Sequence, residues 1–168
     1  AVVLDVKTGK VLALASYPTY DLKIFQEGLT QAQAKDLFSD ATGVPALTRP
    51  LQGMYAPAST FKSISVVAAA AAGYNMNASY KCPSSVQIGN REFKNFETKN
   101  QGTINMQTAI AVSCDTIWYQ IAYDEWVRDG GLRPKSNPND YFFNAARSFN
   151  LGKKTGIDLP DEASGRLP

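Results

Sequence analysis

Apolar and polar positions along the chain predict a β-hairpin followed by a long, mainly helical stretch. Residues 1–7 and 11–16 are rich in valine, leucine and alanine, and the polar segment 7–10 between them contains a glycine. Two apolar runs joined by such a segment predict a pair of antiparallel strands. Because two strands alone form a marginal sheet, we expect further strands of this sheet beyond residue 168.

The segment after the hairpin predicts a connection with little regular structure. Residues 17–24 and 41–58 contain prolines and polar residues and predict loops. Between these loops, Thr30 is placed to cap a short helix that ends at Phe38.

The longest apolar pattern predicts a buried helix over residues 59–72. Its residues are almost all small or apolar, so we expect it to be buried on most sides, and Gly73 suits the position just after its end. Other predicted elements are one short strand at 86–88 and helices at 105–112, 116–127 and 138–151. The inner face of the helix at 116–127 is predicted to carry Trp118, Ile121, Ala122 and Trp126.

Composition places the chain among globular proteins. Of its 168 residues, 44% are hydrophobic and 19% are charged, and the net charge of +2 is too small to favour binding to nucleic acid. No apolar run is long enough to cross a bilayer. The chain begins in the middle of a predicted strand and stops in a predicted loop, so we interpret it as part of a longer protein.

Cysteine and histidine content restricts the possible chemistry. Cys82 and Cys114 are too few to specify a disulfide framework or a metal site; a bond between them is possible, but the sequence does not favour it. The chain has 0 histidines, which excludes a Ser-His-Asp triad, a Cys-His pair and a histidine-ligated zinc site built from it.

Ser59 and Lys62 are the first candidates for catalysis. They are three positions apart on a predicted helix and therefore share a face. Serine needs a base to become a nucleophile, lysine can be that base if burial lowers its pKa, and a helix N-terminus favours an alkoxide or an oxyanion. Taken alone, however, the spacing is better explained by Ser59 as a helix cap and Lys62 as a surface charge.

Ser113 and Asp115 are the second pair of candidates, in the break between two predicted helices. They can direct a hydroxyl and a carboxylate into a shared cleft. The alternative is that Asp115 caps the helix beginning at Thr116, and the residues alone favour that cap.

Four ordered blocks resemble class B penicillin-binding proteins, and together they cover the whole chain. Residues 55–62, Tyr-Ala-Pro-Ala-Ser-Thr-Phe-Lys, resemble the active-serine motif, usually Pro-Gly-Ser-Thr-Phe-Lys, and residues 113–115, Ser-Cys-Asp, stand where the family has Ser-x-Asn. Residues 2–18 resemble the family's first hairpin. Residues 113–124 and 155–160 are most similar to the elongation type, penicillin-binding protein 2. The resemblance reverses the interpretation of Ser59 in favour of catalysis.

Two departures from the family pattern concern single residues. Asp115 replaces the usual Asn, which elongation-type members tolerate. Ala58 replaces the usual Gly, and we expect it to tighten the turn before the serine.

The family's third motif, Lys-Thr-Gly on a strand beside the cleft, is not assigned within this chain. Residues 7–9 are the tip of the predicted hairpin, and residues 154–156 precede a block that the family shows well before its third motif. We therefore expect the motif beyond residue 168, and we expect this chain by itself to lack one wall of the site and to be inactive.

The resemblance implies an α+β fold, the penicillin-binding/β-lactamase-like serine transpeptidase fold, of which this chain is the N-terminal part. Within a single domain, residues 1–16 would be the first hairpin, 17–58 a connection, and 59–168 a mostly helical subdomain.

The resemblance also implies peptidoglycan D,D-transpeptidase activity in cell-wall elongation and cell shape, with β-lactams as covalent inhibitors. Ser59 would be the nucleophile, Lys62 its base, Ser113 a proton relay, and Asp115 would orient Lys62 and the substrate amide. Two alternatives stay open. One is a hydrolase of the carboxypeptidase or β-lactamase type, and the other is a non-catalytic β-lactam sensor or scaffold.

Implied partners are stem peptides, a glycan polymerase of the SEDS type and other elongation-complex proteins. No metal or organic cofactor and no nucleic acid are implied. The expected location is the extracytoplasmic face of a bacterial plasma membrane, with an anchor in an N-terminal segment outside this chain.

Overall fold

A computed structural model describes residues 1–167, which form two compact units. The first unit comprises Ala1–Ala56 and Gly152–Arg166, and the second comprises Pro57–Leu151 with Leu167.

The first unit begins with the predicted hairpin. Strands β1 (Val2–Leu4) and β2 (Val11–Leu14) are antiparallel, with Val3 opposite Ala13. In the turn, the Asp5 carboxylate accepts a 2.8 Å hydrogen bond from the Lys7 N–H. The hairpin is therefore confirmed.

Three short helices follow in this unit: α1 (Lys23–Gln26), α2 (Gln31–Phe38) and α3 (Arg49–Gln52). Thr30 caps α2 in a reciprocal box with Gln33, which confirms that prediction. The predicted loops at 17–24 and 41–58 are wrong where α1 and α3 occur. A four-residue helix shows no apolar period, and Pro50 marks the start of α3 rather than a break.

The second unit begins with the helix predicted from its apolar sequence. A 3₁₀ turn (Ala58–Phe61) leads directly into α4 (Lys62–Ala71), and Gly73 adopts a left-handed φ of 89° just after its end. The predicted helix is confirmed, although its first turn is 3₁₀ rather than α.

Four short strands follow α4: β3 (Ser79–Cys82), β4 (Ser85–Ile88), β5 (Arg91–Lys94) and β6 (Gly102–Asn105). β3 pairs antiparallel with β6, and β4 pairs antiparallel with β5. The sequence predicted only the strand at 86–88. The other strands are four residues long, carry mostly polar side chains and lack an apolar alternation that could reveal them.

Three further helices complete the unit: α5 (Met106–Ala111), α6 (Asp115–Arg128) and α7 (Tyr141–Ser148). They confirm the three helices predicted here, with shorter ends for α7. The inner face of α6 carries Trp118 and Ile121 as predicted, but Trp126 is 46% exposed and Glu125 is buried in its place. Within residues 1–167, no helix has both the length and the apolar character needed to cross a bilayer.

Helix α4 packs into two apolar clusters. Ala69 joins a cluster that includes Met106, Ile117 and Trp118, and Ile64 and Ala68 join another with α7. Burial of α4 on most sides is therefore confirmed, and the segment that carries Ser59 and Lys62 is held by both clusters.

A disulfide joins Cys82 at the end of β3 to Cys114, just before α6, with a Cα–Cα distance of 6.3 Å. Both residues are buried. The sequence did not favour this bond, and that expectation is corrected. The cause is the missed β3–β6 pair, which brings Cys82 into the core beside the start of α6.

Candidate active site

Ser59 lies in the 3₁₀ turn before α4, and its side chain is exposed. Because a 3₁₀ turn has about three residues per turn, Ser59 and Lys62 lie on the same side of it. The preceding residue, Ala58, has a φ of 48°, in the left-handed region that favours glycine. The backbone at Ala58 is therefore strained.

Lys62 is buried at the first position of α4, with 8% of its surface exposed. Its Nζ donates hydrogen bonds to the Ser113 carbonyl oxygen at 2.9 Å and to Ser113 Oγ at 2.7 Å. It also forms an ion pair with Asp115 Oδ1 at 2.6 Å. The interpretation of Lys62 as a surface charge is therefore wrong.

Ser113 lies in the turn between α5 and α6. Its N–H donates to the Ile110 carbonyl, and its φ of 53° places it in the left-handed region where a helix commonly ends with glycine. Ser113 Oγ lies 3.4 Å from Ser59 Oγ and 2.7 Å from Lys62 Nζ. The strained turn thus holds this hydroxyl between the two other side chains.

Asp115 is the first residue of α6 and does not cap the helix, so the predicted cap is wrong. The N-cap residue is Cys114, which makes no side-chain capping bond. The Asp115 carboxylate instead pairs with Lys62 through Oδ1 and accepts a 3.3 Å hydrogen bond from the Phe96 N–H through Oδ2.

The structure brings Ser59, Lys62, Ser113 and Asp115 together, but their connection differs from the one expected. Within residues 1–167, no hydrogen bond joins Lys62 Nζ directly to Ser59 Oγ. The two groups are linked through Ser113 Oγ. Hydroxyl, hydroxyl and amine thus form a short chain along which a proton can pass, and a carboxylate lies beside the amine.

A cavity of about 430 Å³ adjoins this cluster. Ser59, Lys62, Asp115, Trp118 and Tyr119 are among its lining residues. Burial, with the nearby Asp115 charge, raises the pKa of Tyr119. Like any neutral phenol, the Tyr119 hydroxyl can donate a hydrogen bond at the cavity wall.

Asn95 was missed by sequence reasoning. It is buried just after β5, and its Oδ1 accepts hydrogen bonds from the backbone N–H groups of Asp115 and Thr116 at 2.8 and 3.0 Å. A helix cap that lies about twenty residues away in sequence leaves no local capping signature. The placement of Asn95 depends on strand β5, which the sequence did not predict.

Both Lys-Thr-Gly tripeptides belong to the first unit, and neither lies on a strand. Residues 7–9 form the hairpin turn, and residues 154–156 form a loop. Thr155 donates to Glu162 from its N–H and its hydroxyl, both at 2.6 Å, and these bonds lower the pKa of Glu162. The second tripeptide thus lies in a loop that is held by hydrogen bonds to the Glu162 carboxylate.

Sequence comparison identifies the family. The profile of the penicillin-binding protein transpeptidase domain matches residues 1–168, the whole chain. The chain belongs to the penicillin-binding protein transpeptidase family.

Individual members of the family give the same result. Peptidoglycan D,D-transpeptidase MrdA of Escherichia coli (strain K12) is 34% identical over 170 residues, which is 99% of this chain and 25% of MrdA. Penicillin-binding protein 2 of Helicobacter pylori has a solved structure with a TM-score of 0.82 and 26% identity, covering 99% of this chain and 30% of that one. The same protein in complex with MreC also has a TM-score of 0.82 and 26% identity, covering 99% of this chain and 29% of that one.

A third relative has been solved with a bound antibiotic. Penicillin-binding protein A of Mycobacterium tuberculosis, as a ceftriaxone acyl-enzyme, has a TM-score of 0.69 and 27% identity, covering 89% of this chain and 33% of that one. These similarities confirm the predicted resemblance to penicillin-binding protein 2 and the α+β transpeptidase fold. The chain spans 25% of the length of MrdA.

In this penicillin-binding protein domain, Ser59 and Lys62 have the Ser-x-x-Lys spacing of the predicted active-serine motif. The Ser-Cys-Asp segment presents both of its polar side chains to Lys62. The replacement of the usual Asn by Asp115 thus places a full negative charge against the lysine.

Proposed function

We propose that the protein containing this chain is a peptidoglycan D,D-transpeptidase that cross-links stem peptides through an acyl-enzyme on Ser59. One observation carries the proposal: a buried lysine and an exposed serine, three positions apart, are joined through the Ser113 hydroxyl and backed by the Asp115 carboxylate. Family membership supports the reaction class.

In the acylation step, Ser59 Oγ attacks the carbonyl carbon between the two terminal D-alanines of a stem peptide. In the reacting form Lys62 is the neutral amine, and the Ser59 proton passes through Ser113 Oγ to Lys62 Nζ. Lys62 thereby becomes the ammonium that is paired with Asp115 in the structure. Three acceptors are in place for that ammonium: Asp115 Oδ1 at 2.6 Å and both oxygens of Ser113. Positive charge that develops on Nζ is therefore stabilised as the transition state forms.

Collapse of the tetrahedral intermediate breaks the C–N bond. The developing oxyanion is stabilised by the Ser59 backbone N–H. This group lies in the first turn of a helical segment, where the first N–H groups have no hydrogen-bond partner within the helix. The leaving D-alanine amine takes a proton that Ser113 relays from the Lys62 ammonium. This step leaves the stem peptide esterified to Ser59 and returns Lys62 to the neutral amine.

The amine of a second stem peptide then attacks the ester, forms the cross-link and regenerates Ser59. β-Lactams would acylate Ser59 as mimics of the donor, in the way the Mycobacterium tuberculosis relative forms an acyl-enzyme with ceftriaxone. The steps require no metal and no organic cofactor.

The proposed setting is cell-wall elongation at the extracytoplasmic face of a bacterial membrane. The complex of the Helicobacter pylori relative with MreC supports MreC as a partner. A glycan polymerase of the SEDS type would supply the strands that are cross-linked, and an N-terminal segment outside this chain would anchor the protein.

The test uses the intact protein with a donor stem pentapeptide and a D-amino acid acceptor. We expect D-alanine release and transfer of the acyl group to the acceptor amine, and we expect Ser59→Ala to abolish both because no nucleophile remains. Thr60→Ala is the matched control and should retain both reactions. It removes an exposed neighbouring hydroxyl whose one hydrogen bond within residues 1–167 is to the Pro57 carbonyl.

Other outcomes identify the alternatives. D-alanine release with water as the only acceptor would indicate a hydrolase. Acylation by penicillin without turnover of the stem peptide would indicate a sensor, and absence of acylation would indicate a scaffold. Each of these results would overturn the transpeptidase proposal.

A further inference from the structure

The start of α6 is held by a side chain from a distant part of the sequence. Asn95 is 7% exposed, and its Oδ1 accepts the N–H groups of Asp115 and Thr116 at 2.8 and 3.0 Å. Its Nδ2 donates to the Pro83 carbonyl oxygen at 2.8 Å. Because backbone N–H groups only donate and a carbonyl only accepts, these three partners fix which way the amide points.

The local sequence cannot supply this cap. The N-cap residue, Cys114, makes no capping bond, and its sulfur is committed to the disulfide with Cys82. The first side chain of the helix, Asp115, is directed at Lys62. The N–H groups of Asp115 and Thr116, which have no partner within α6, therefore depend on Asn95 for their hydrogen bonds.

Residues 95 and 96 hold both the backbone and the side chain of Asp115. The Asn95 amide binds the Asp115 N–H, and the next residue, Phe96, donates its own N–H to Asp115 Oδ2 at 3.3 Å. With Oδ2 occupied in this way, Oδ1 faces Lys62 Nζ at 2.6 Å. The orientation of the carboxylate is thus set by the segment that follows β5.

We infer that Asn95 is a positioning residue, whose amide caps α6 and thereby fixes the Asp115 carboxylate against Lys62. The inference rests on the proposed function, because it assigns Asn95 a part in the acylation of Ser59. Asn95 has no contact with Ser59 or with Lys62 among the hydrogen bonds of residues 1–167, so its effect is exerted through Asp115.

The test measures acylation of the intact protein by a fluorescent penicillin over a range of concentrations. This separates the dissociation constant of the initial complex from the first-order acylation rate constant. Asn95→Ala should lower the acylation rate constant by about 10- to 100-fold, the cost of a small misplacement of catalytic groups, with little change in the dissociation constant.

Thr116→Val is the matched control. It removes a buried hydroxyl that donates to the same Pro83 carbonyl at 3.0 Å but leaves the Asn95 cap in place. It should lower the melting temperature without lowering the acylation rate constant of the folded protein. If Asn95→Ala does not fold, Asn95→Gln replaces it, since the longer side chain displaces the same amide and should also slow acylation.

The outcomes separate the two proposals. A parent protein that is not acylated at all sinks the proposed function and this inference with it. If the parent and Thr116→Val are acylated normally, parental acylation in Asn95→Ala or Asn95→Gln overturns only the inference. Equal loss of the acylation rate constant in the Asn95 and Thr116 variants also overturns it, because the role would then be structural only.

Discussion

At the scale of single residues, Ser113 is the feature that most changes the expected mechanism. Its Oγ lies between Ser59 Oγ at 3.4 Å and Lys62 Nζ at 2.7 Å. The proposed base, Lys62, is therefore connected to the proposed nucleophile, Ser59, through a second hydroxyl in this structure. Ser113 thus stands on the path of the proton in both halves of the proposed acylation.

Replacement of Lys62 by arginine separates its charge from its basicity. Arg keeps a positive charge for Asp115, but a guanidinium stays protonated and cannot accept the Ser59 proton. Lys62→Arg should therefore slow acylation of the intact protein by roughly 10²- to 10⁴-fold, the usual contribution of a general base. The measurement is the rate of labelling by a fluorescent penicillin.

The control for that variant is Lys94→Arg, an exposed lysine of the same unit that pairs with Glu92. It should be labelled at the parental rate. Parental labelling of a folded Lys62→Arg protein would show that no proton passes to this position.

The four candidate residues were singled out by their resemblance to compact family motifs, since their spacing alone favoured helix caps and a surface charge. Asn95 could not be predicted, because a cap supplied from another strand has no fixed spacing. The strain at Ser113 was equally hidden, since a positive φ at serine follows from the surrounding fold.

At the scale of elements, the α5–α6 turn is tied to β3 by the Cys82–Cys114 disulfide, which spans a sequence separation of 32 residues. Apolar periodicity revealed the helices that pack in the core. Short polar strands gave no such signal, and the disulfide was missed because the strand that carries Cys82 was missed.

Reduction of this disulfide should destabilise the fold. In the chain-entropy model, a cross-link closing a loop of this size contributes about 4 kcal/mol to the free energy of unfolding. The double variant Cys82→Ala/Cys114→Ala should lose a similar amount, measured by urea denaturation of the intact protein. Dithiothreitol should lower the stability of the parent but not that of the double variant, and an unchanged parent would argue against the bond.

At the scale of the whole molecule, the ionisation of Tyr74 makes the free energy of unfolding depend on pH in the alkaline range. Burial first, and then the charges of Glu125 and Asp124, raise the pKa of Tyr74 from 10.0 to about 12. A folded-state pKa above the unfolded value stabilises the fold below pH 10, and this contribution is lost as the pH rises towards 12.

Tyr74→Phe, which cannot ionise, should therefore lose less stability than the parent between pH 10 and pH 12. The measurement is the difference in the free energy of unfolding between variant and parent at pH 8 and at several points above pH 10. Tyr55→Phe, at an exposed ring, is the matched control. A parallel pH dependence of Tyr74→Phe and parent would contradict the assignment.

The central claim for the whole protein is that Ser59, and not the neighbouring Ser113, receives the acyl group. After penicillin labelling of the intact protein, reduction and tryptic digestion separate the two serines, because Ser59 falls in residues 36–62 and Ser113 in residues 100–128. The account predicts the covalent mass increase on residues 36–62 alone, and its loss in Ser59→Ala. An adduct on residues 100–128, or labelling that persists in Ser59→Ala, would contradict it.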